Sequence, residues 1–86
     1  MQLEFKAVDE LRQVVAVAQS LRQRGSTEAA QKALALVNAI LASANAKCRR
    51  TLPDADIECI SDGAGNLIYR CDHQSPHEWD LNGNAV

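Results

Sequence analysis

The chain has 86 residues, of which 47% are apolar and 23% are charged, and this composition excludes a largely disordered polypeptide. Fourteen residues are alanine and three are aromatic, so we expect a thin core to which a second copy of the chain adds burial. No stretch approaches the roughly 18 apolar residues of a membrane span, and the N-terminus lacks a secretory pattern. We therefore expect one cytoplasmic domain over residues 1–86, with its three cysteines reduced.

The net charge of −2 hides an uneven distribution. Residues 1–50 carry eight basic and four acidic side chains, whereas residues 51–86 carry one basic and seven acidic side chains. The two halves either neutralise each other in the folded domain or form a bipolar surface that selects a partner. Because the pI is about 5.5 and the basic clusters fall at predicted helix ends, nucleic-acid binding is disfavoured, and a helix-turn-helix protein remains a second alternative.

The first half of the chain has the periodicity of two helices. Apolar residues at a 4-3-4-3 spacing predict a helix over residues 3–24. Gly25 indicates the end of this helix, and Ser26 or Thr27 is a suitable N-cap for the next one. A second apolar stripe predicts a helix over residues 27–50. Because the connection is only about three residues long, we expect the two helices to form an antiparallel hairpin.

A line of small residues follows the far side of the second predicted helix. Alanine is the best helix former, so helix propensity alone explains the line. Small side chains also allow two helix backbones to approach closely, which favours a homodimer. The predicted dimer interface consists of Ala35, Ala39, Ala42 and Ala46.

Two strands are predicted after Pro53, which disfavours a helix at the residue before it. Residues 57–61 and 67–71 have the composition of strands, and the glycine-containing run between them is typical of a turn. Pairing residue 62 with residue 66 places Glu58 opposite Arg70 and Ile60 opposite Ile68. The other face, which we expect to lie against the helices, carries Ile57, Cys59, Leu67, Tyr69 and Cys71.

The tail contains Ser75-Pro76-His77-Glu78, a match to a helix capping box. This match predicts a short helical turn over residues 76–81, with Trp79 packed on the domain or exposed as an anchor for a partner. The predicted fold class is therefore α+β: an antiparallel two-helix hairpin, a two-stranded antiparallel β-hairpin and a short C-terminal helical turn.

The densest set of possible metal ligands is Cys71, His73 and His77, with Cys48 and Cys59 available elsewhere in the chain. Zinc prefers four nitrogen or sulfur ligands, usually from paired C-x₂-C or H-x₃₋₅-H units. No C-x₂-C pair exists, Pro76 keeps His73 outside any helix, and the cysteines are spaced like core residues. The sequence therefore favours no metal and no cofactor, with a zinc-binding module as the first alternative.

Catalytic motifs are missing from the sequence: it has no G-x-S-x-G, P-loop, G-x-G-x-x-G or H-E-x-x-H pattern. We therefore expect a non-catalytic module that binds another protein with a basic surface. Regulators, inhibitors and accessory proteins of phages or mobile elements are often built at this size. The predicted contact residues are Asp54, Asp56 and Asp62, with Tyr69 and Trp79 as anchors.

Overall fold

The computed structural model describes residues 9–86, and it describes side chains from residue 11 onward. Two helices come first, α1 (Asp9–Gln23) and α2 (Thr27–Ser43), and they pack against each other through buried apolar residues. The part of the first predicted helix that covers residues 3–8 lies outside the described residues.

The corner between the helices is formed as the sequence predicts. Gly25 has a φ of 77°, a left-handed conformation that glycine adopts without steric cost. Its N–H donates to the carbonyl of Arg22 at 3.0 Å, and the N–H of Ser26 donates to the carbonyl of Leu21 at 2.9 Å. These two bonds make a Schellman motif, which ends α1. Ser26 occupies the N-cap position of α2, although its side chain makes no capping hydrogen bond.

The second helix is shorter than predicted, since it ends at Ser43 rather than at residue 50. Asn45 adopts a positive φ of 54°, which asparagine tolerates better than most residues, and this conformation turns the chain out of the helix. Ala46 therefore leaves the predicted alanine line and is buried in the core. The next two residues, Lys47–Cys48, form a strand instead of a last helical turn.

The predicted β-hairpin is the centre of a larger sheet. Four antiparallel strands lie in the order β1-β2-β3-β4, so the expectation of two strands was incomplete. The strands are β1 (Lys47–Cys48), β2 (Ala55–Ser61), β3 (Leu67–Cys71) and β4 (Glu78–Trp79).

The register between β2 and β3 confirms the prediction. Glu58 lies opposite Arg70, and Ile60 lies opposite Ile68. The predicted inward face is buried, and together with the helices it encloses the core. Its residues are Ile57, Cys59, Leu67, Tyr69 and Cys71.

The predicted helical turn over residues 76–81 is wrong. Glu78–Trp79 forms β4, in which Trp79 lies opposite Tyr69 and is fully buried. A single helical turn is marginal in water, whereas strand pairing buries the largest side chain of the chain and satisfies its backbone. The capping-box match is a local signal that this packing overrides.

Polar side chains of the helices attach the helical layer to the sheet. Asn38 of α2 accepts a hydrogen bond from the Cys59 N–H at 2.7 Å and donates to the Cys59 carbonyl at 3.1 Å. Gln19 of α1 accepts from the Leu67 N–H at 3.0 Å. These bonds satisfy backbone groups of β2 and β3 beside the core.

Candidate metal centre

Two cysteines reach the same end of the sheet because β1 and β3 flank β2. Cys48, the last residue of β1, lies opposite Ala55 of β2. Cys71, the last residue of β3, lies opposite Ile57 of β2. Since residues 55 and 57 are two apart on one strand, both cysteines lie on the same face of the sheet.

The loop between β3 and β4 adds two histidines to this pair of cysteines. The sulfur and ring-nitrogen atoms of Cys48, Cys71, His73 and His77 all lie within 4.8 Å of one another. The Nδ1 atom of His73 lies 3.2 Å from Cys71 Sγ. The Nδ1 atom of His77 lies 3.3 Å from Cys48 Sγ and 3.6 Å from Cys71 Sγ.

Three of the six separations among these atoms fit the edges of a tetrahedron around a zinc ion, and the others are no longer than 4.8 Å. With Zn–S near 2.3 Å and Zn–N near 2.0–2.1 Å, a tetrahedral sulfur-to-nitrogen edge is about 3.6 Å. The three distances between 3.2 and 3.6 Å are close to that length. Two sulfurs and two imidazole nitrogens are also a ligand set that binds zinc in preference to hard cations such as Mg²⁺. The donor atoms therefore fit Zn²⁺ in number, chemistry and spacing.

Hydrogen bonds from the surrounding backbone orient the candidate ligands. The His77 N–H donates to Cys71 Sγ at 3.1 Å. Nε2 of His73 donates to the Pro53 carbonyl at 3.0 Å, and this bond turns Nδ1 of the same ring toward the cluster. A backbone carbonyl on the second ring nitrogen is the usual outer partner of a metal-binding histidine. The loop between β1 and β2 thus fixes a side chain of the loop between β3 and β4.

The pKa values of the two cysteine thiols shift in opposite directions. Burial raises the pKa of Cys48 and outweighs the hydrogen bond from the Arg50 N–H. Burial also acts to raise the pKa of Cys71, but hydrogen bonds from the backbone and rings of His77 and His73 outweigh it and lower that pKa to about 6. The bond to Cys71 raises the pKa of His73. A thiol with a lowered pKa is ready to bind a metal as thiolate.

The candidate site is closed. Cys48 and Cys71 are each 1% exposed, and the two histidines are half-buried. Four protein ligands fill a tetrahedral zinc ion, whereas catalytic zinc sites keep one position for water or substrate. The arrangement therefore fits a structural zinc site better than a catalytic one.

Cys59 is a separate thiol. It lies on the inward face of β2, it is buried, and it is not part of the ligand cluster. Burial raises its pKa to about 12, so it stays protonated. Cys59 therefore serves as an internal control for experiments on Cys48 and Cys71.

The sequence favours no metal and offers Cys71, His73 and His77 only as an alternative ligand set. It does not predict how Cys48 reaches them. Cys48 was assigned to a helix, from which it could not be placed relative to Cys71. The signal for its position is Asn45, whose left-handed conformation ends α2 and starts β1. The missing C-x₂-C pair and Pro76 do not count against this site, because its ligands come from strand ends and a loop rather than from a helix.

The residues predicted to bind a partner do not form one surface. Asp54 and Asp56 are exposed beside the candidate metal centre, where they pair with Arg49 at 4.0 Å and with Lys47. Asp62 follows the other end of β2, and six residues of extended chain place it about 20 Å from Asp56.

The two predicted anchors are part of the core. Tyr69 is 3% exposed and Trp79 is 0% exposed, so neither side chain is presented to a partner in this structure. In the predicted dimer interface, Ala35, Ala39 and Ala42 are exposed on α2, whereas Ala46 is buried beyond the helix end.

Comparisons with known proteins found no match: no family model, no curated protein and no solved structure matches the chain. Within residues 9–86, neither helix has the length and apolar character needed to cross a membrane.

Proposed function

We propose that the protein is a small zinc-binding module, in which Cys48, Cys71, His73 and His77 hold one structural Zn²⁺. The observation that supports this proposal is the convergence of four nitrogen and sulfur ligand atoms within 4.8 Å. The ligands come from the ends of β1 and β3, which pair with β2 on its two sides, and from the loop between β3 and β4. A zinc ion bound to all four would connect β1, β3 and the segment that leads to β4.

A structural zinc ion would also supply stability that the apolar core lacks. The described core contains three alanines and three cysteines, which bury little apolar area. Zinc binding to small finger peptides contributes about 10–16 kcal/mol at neutral pH, and in such modules binding free energy is folding free energy. A reducing compartment such as the cytoplasm fits this proposal, because Cys48 and Cys71 would remain thiols there.

We further propose that the module is non-catalytic and acts by binding another protein. The closed ligand set supports this, since it leaves no coordination position for a substrate. The exposed carboxylates of Asp54 and Asp56 are the proposed contact with a basic partner. The exposed residues of α2, including Leu36 at 52% exposure, are the proposed contact between two copies of the chain.

Native mass spectrometry of the untagged protein with zinc tests the metal proposal. We expect one Zn²⁺ per chain under reducing conditions and retention of that ion by Cys59→Ser. The Cys71→Ser variant should lose it, because serine is a poor zinc ligand. Equal zinc retention by the two serine variants, or a native protein that stays metal-free when zinc is supplied under these conditions, would refute the structural zinc centre.

The dimer is tested separately by Ala39→Glu, which places a charge on the exposed face of α2. If α2 forms the interface, this variant should elute as a monomer in size-exclusion chromatography with light scattering and should keep its zinc. The control variant Gln13→Glu adds a charge at an exposed position of α1, outside the proposed interface, and should leave the dimer intact. A dimer that survives Ala39→Glu is formed by another surface.

A further inference from the structure

Arg50, which follows the candidate metal centre in the loop between β1 and β2, carries polar atoms without partners. Its guanidinium carbon lies 5.3 Å from the centroid of the Trp79 ring. The Arg50 Nε and Nη2 atoms are buried and have no hydrogen-bond acceptor. Nε1 of Trp79 is also buried without an acceptor. Three N–H donors of two side chains in contact thus lack partners, which is rare in folded proteins.

The two unpaired atoms, Nε and Nη2 of Arg50, are a pair of guanidinium nitrogens that commonly binds oxyanions. Nε and Nη2 form the side-on fork of a guanidinium, whose parallel N–H groups match two oxygens of a carboxylate or phosphate. Arg22 shows the satisfied form of this fork in the same protein. Its Nε donates to the Gly65 carbonyl at 3.1 Å, and its Nη2 donates to Ser61 Oγ at 2.9 Å.

Arg50 brings a positive charge into this region, and no carboxylate among the described residues is paired with it. The two aspartates of its loop and of β2 pair with Arg49 and Lys47. Zinc with two thiolates and two neutral imidazoles has no net charge, so a loaded metal centre would not neutralise Arg50 either. An anion at this position would satisfy both the charge and the unpaired donors.

We propose that Arg50 and Trp79 form a binding site for a small oxyanion of the carboxylate or phosphate type. Arg50 as a whole is only half-buried, so rotation of its flexible side chain gives the ligand access to the fork. The anion accepts from Nε and Nη2 of Arg50, and Trp79 Nε1 is the third donor. None of these three donors is a candidate metal ligand, so an anion and a zinc ion do not compete for the same atoms.

The single tryptophan of the chain makes the site directly observable. Titration of the ¹⁵N-labelled protein with inorganic phosphate, and separately with acetate, follows the one indole N–H signal at constant ionic strength set with chloride. A new hydrogen bond to Trp79 Nε1 should move that signal downfield and reach saturation. Saturation by phosphate alone identifies a phosphate-type site, and saturation by acetate identifies a carboxylate-type site.

Two arginine variants and one control decide the role of the fork. Arg50→Gln should weaken anion binding by about tenfold or more, and Arg50→Lys should also weaken it, since lysine keeps the charge but loses the fork. Arg49→Gln removes the same charge from the neighbouring position and should bind like the wild type. An indole signal that does not respond to either anion, a linear response shared with chloride, or full binding by Arg50→Lys would overturn the proposal. Should Arg50→Gln fail to fold, Arg50→Lys alone gives the decision.

Discussion

The two ends of the β2–β3 hairpin satisfy their polar groups in different ways. At the turn, one carboxylate oxygen of Asp62 accepts from the N–H groups of Ala64 and Asn66, both at 2.9 Å, and Arg22 ties the turn to α1. At the other end, two thiols and two imidazoles point at one another, and the donors of Arg50 and Trp79 have no acceptors. At the turn, the chain supplies hydrogen-bond partners for its own polar groups. At the opposite end, the clustered ligand atoms and the unpaired donors have the chemistry of a binding site.

This difference implies that the two ends respond differently to conditions and mutations. The helices and the turn should keep their structure without metal, because Asn38, Gln19 and Arg22 hold them to the hairpin. The strands β1 and β4, two residues each, have few bonds of their own and should depend on the metal centre. Changes that affect only one of the two ends therefore test whether the ends are independent.

Removal of the metal should have the largest effect. At a free zinc concentration 1,000-fold above the dissociation constant, bound zinc stabilises the folded state by about 4 kcal/mol, so a strong chelator should lower the melting temperature substantially. Trp79 should become exposed as β4 detaches, which shifts its fluorescence to longer wavelength. Differential scanning fluorimetry with and without chelator measures both effects. An unchanged melting temperature on chelation of the zinc-loaded protein would contradict the proposed structural role.

Loss of the Asn38 clamp should have the next largest effect. Asn38→Ala leaves the N–H and carbonyl of Cys59 without partners beside the core, and this should lower the free energy of unfolding by about 1–3 kcal/mol. Zinc affinity should stay at the wild-type value, because Asn38 does not contact the ligand cluster. Urea unfolding and competition with a zinc-binding dye measure the two quantities. A large loss of zinc affinity in this variant would show that the two ends are not independent.

Replacement of the turn carboxylate should have the smallest effect. Asp62→Ala removes an acceptor of two exposed backbone N–H groups, which water can replace, so we expect a loss of about 1 kcal/mol. The matching change at the tail is Asp80→Ala, since Asp80 accepts in the same way from Asn82 and Asn84, both at 2.9 Å. Asp80→Ala should cost a similar amount in urea unfolding. A much larger cost at Asp80 would mean that the tail turn supports β4 more than the metal does.

Local signals in the sequence predicted the turn end of the hairpin well. The glycine-containing turn and the alternation of apolar residues determine the register of β2 and β3, and both lie within 15 consecutive residues. The helix corner at Gly25 was predicted for the same reason, since its signal is the residue itself.

The end of the hairpin with the candidate metal centre was only partly predictable, because its elements depend on contacts between residues that are far apart in the sequence. The helix-favouring run after Leu41 concealed the αL conformation of Asn45, and so the position of Cys48. The capping-box match around Ser75 concealed β4, which forms because Trp79 packs against Tyr69. The sequence offers Cys71, His73 and His77 only as an alternative to having no metal, and the fourth candidate ligand, Cys48, comes from 23 positions before Cys71.

X-ray absorption spectroscopy at the zinc edge tests the structural zinc centre most directly. For protein purified under reducing conditions and loaded with one equivalent of zinc, we expect two sulfur ligands at about 2.3 Å and two nitrogen ligands at about 2.0–2.1 Å. The same measurement on Cys48→Ser should show one sulfur fewer, which ties the signal to this residue. A shell made only of oxygen and nitrogen in the wild-type protein would contradict the proposed centre, because it would place the zinc away from both cysteines.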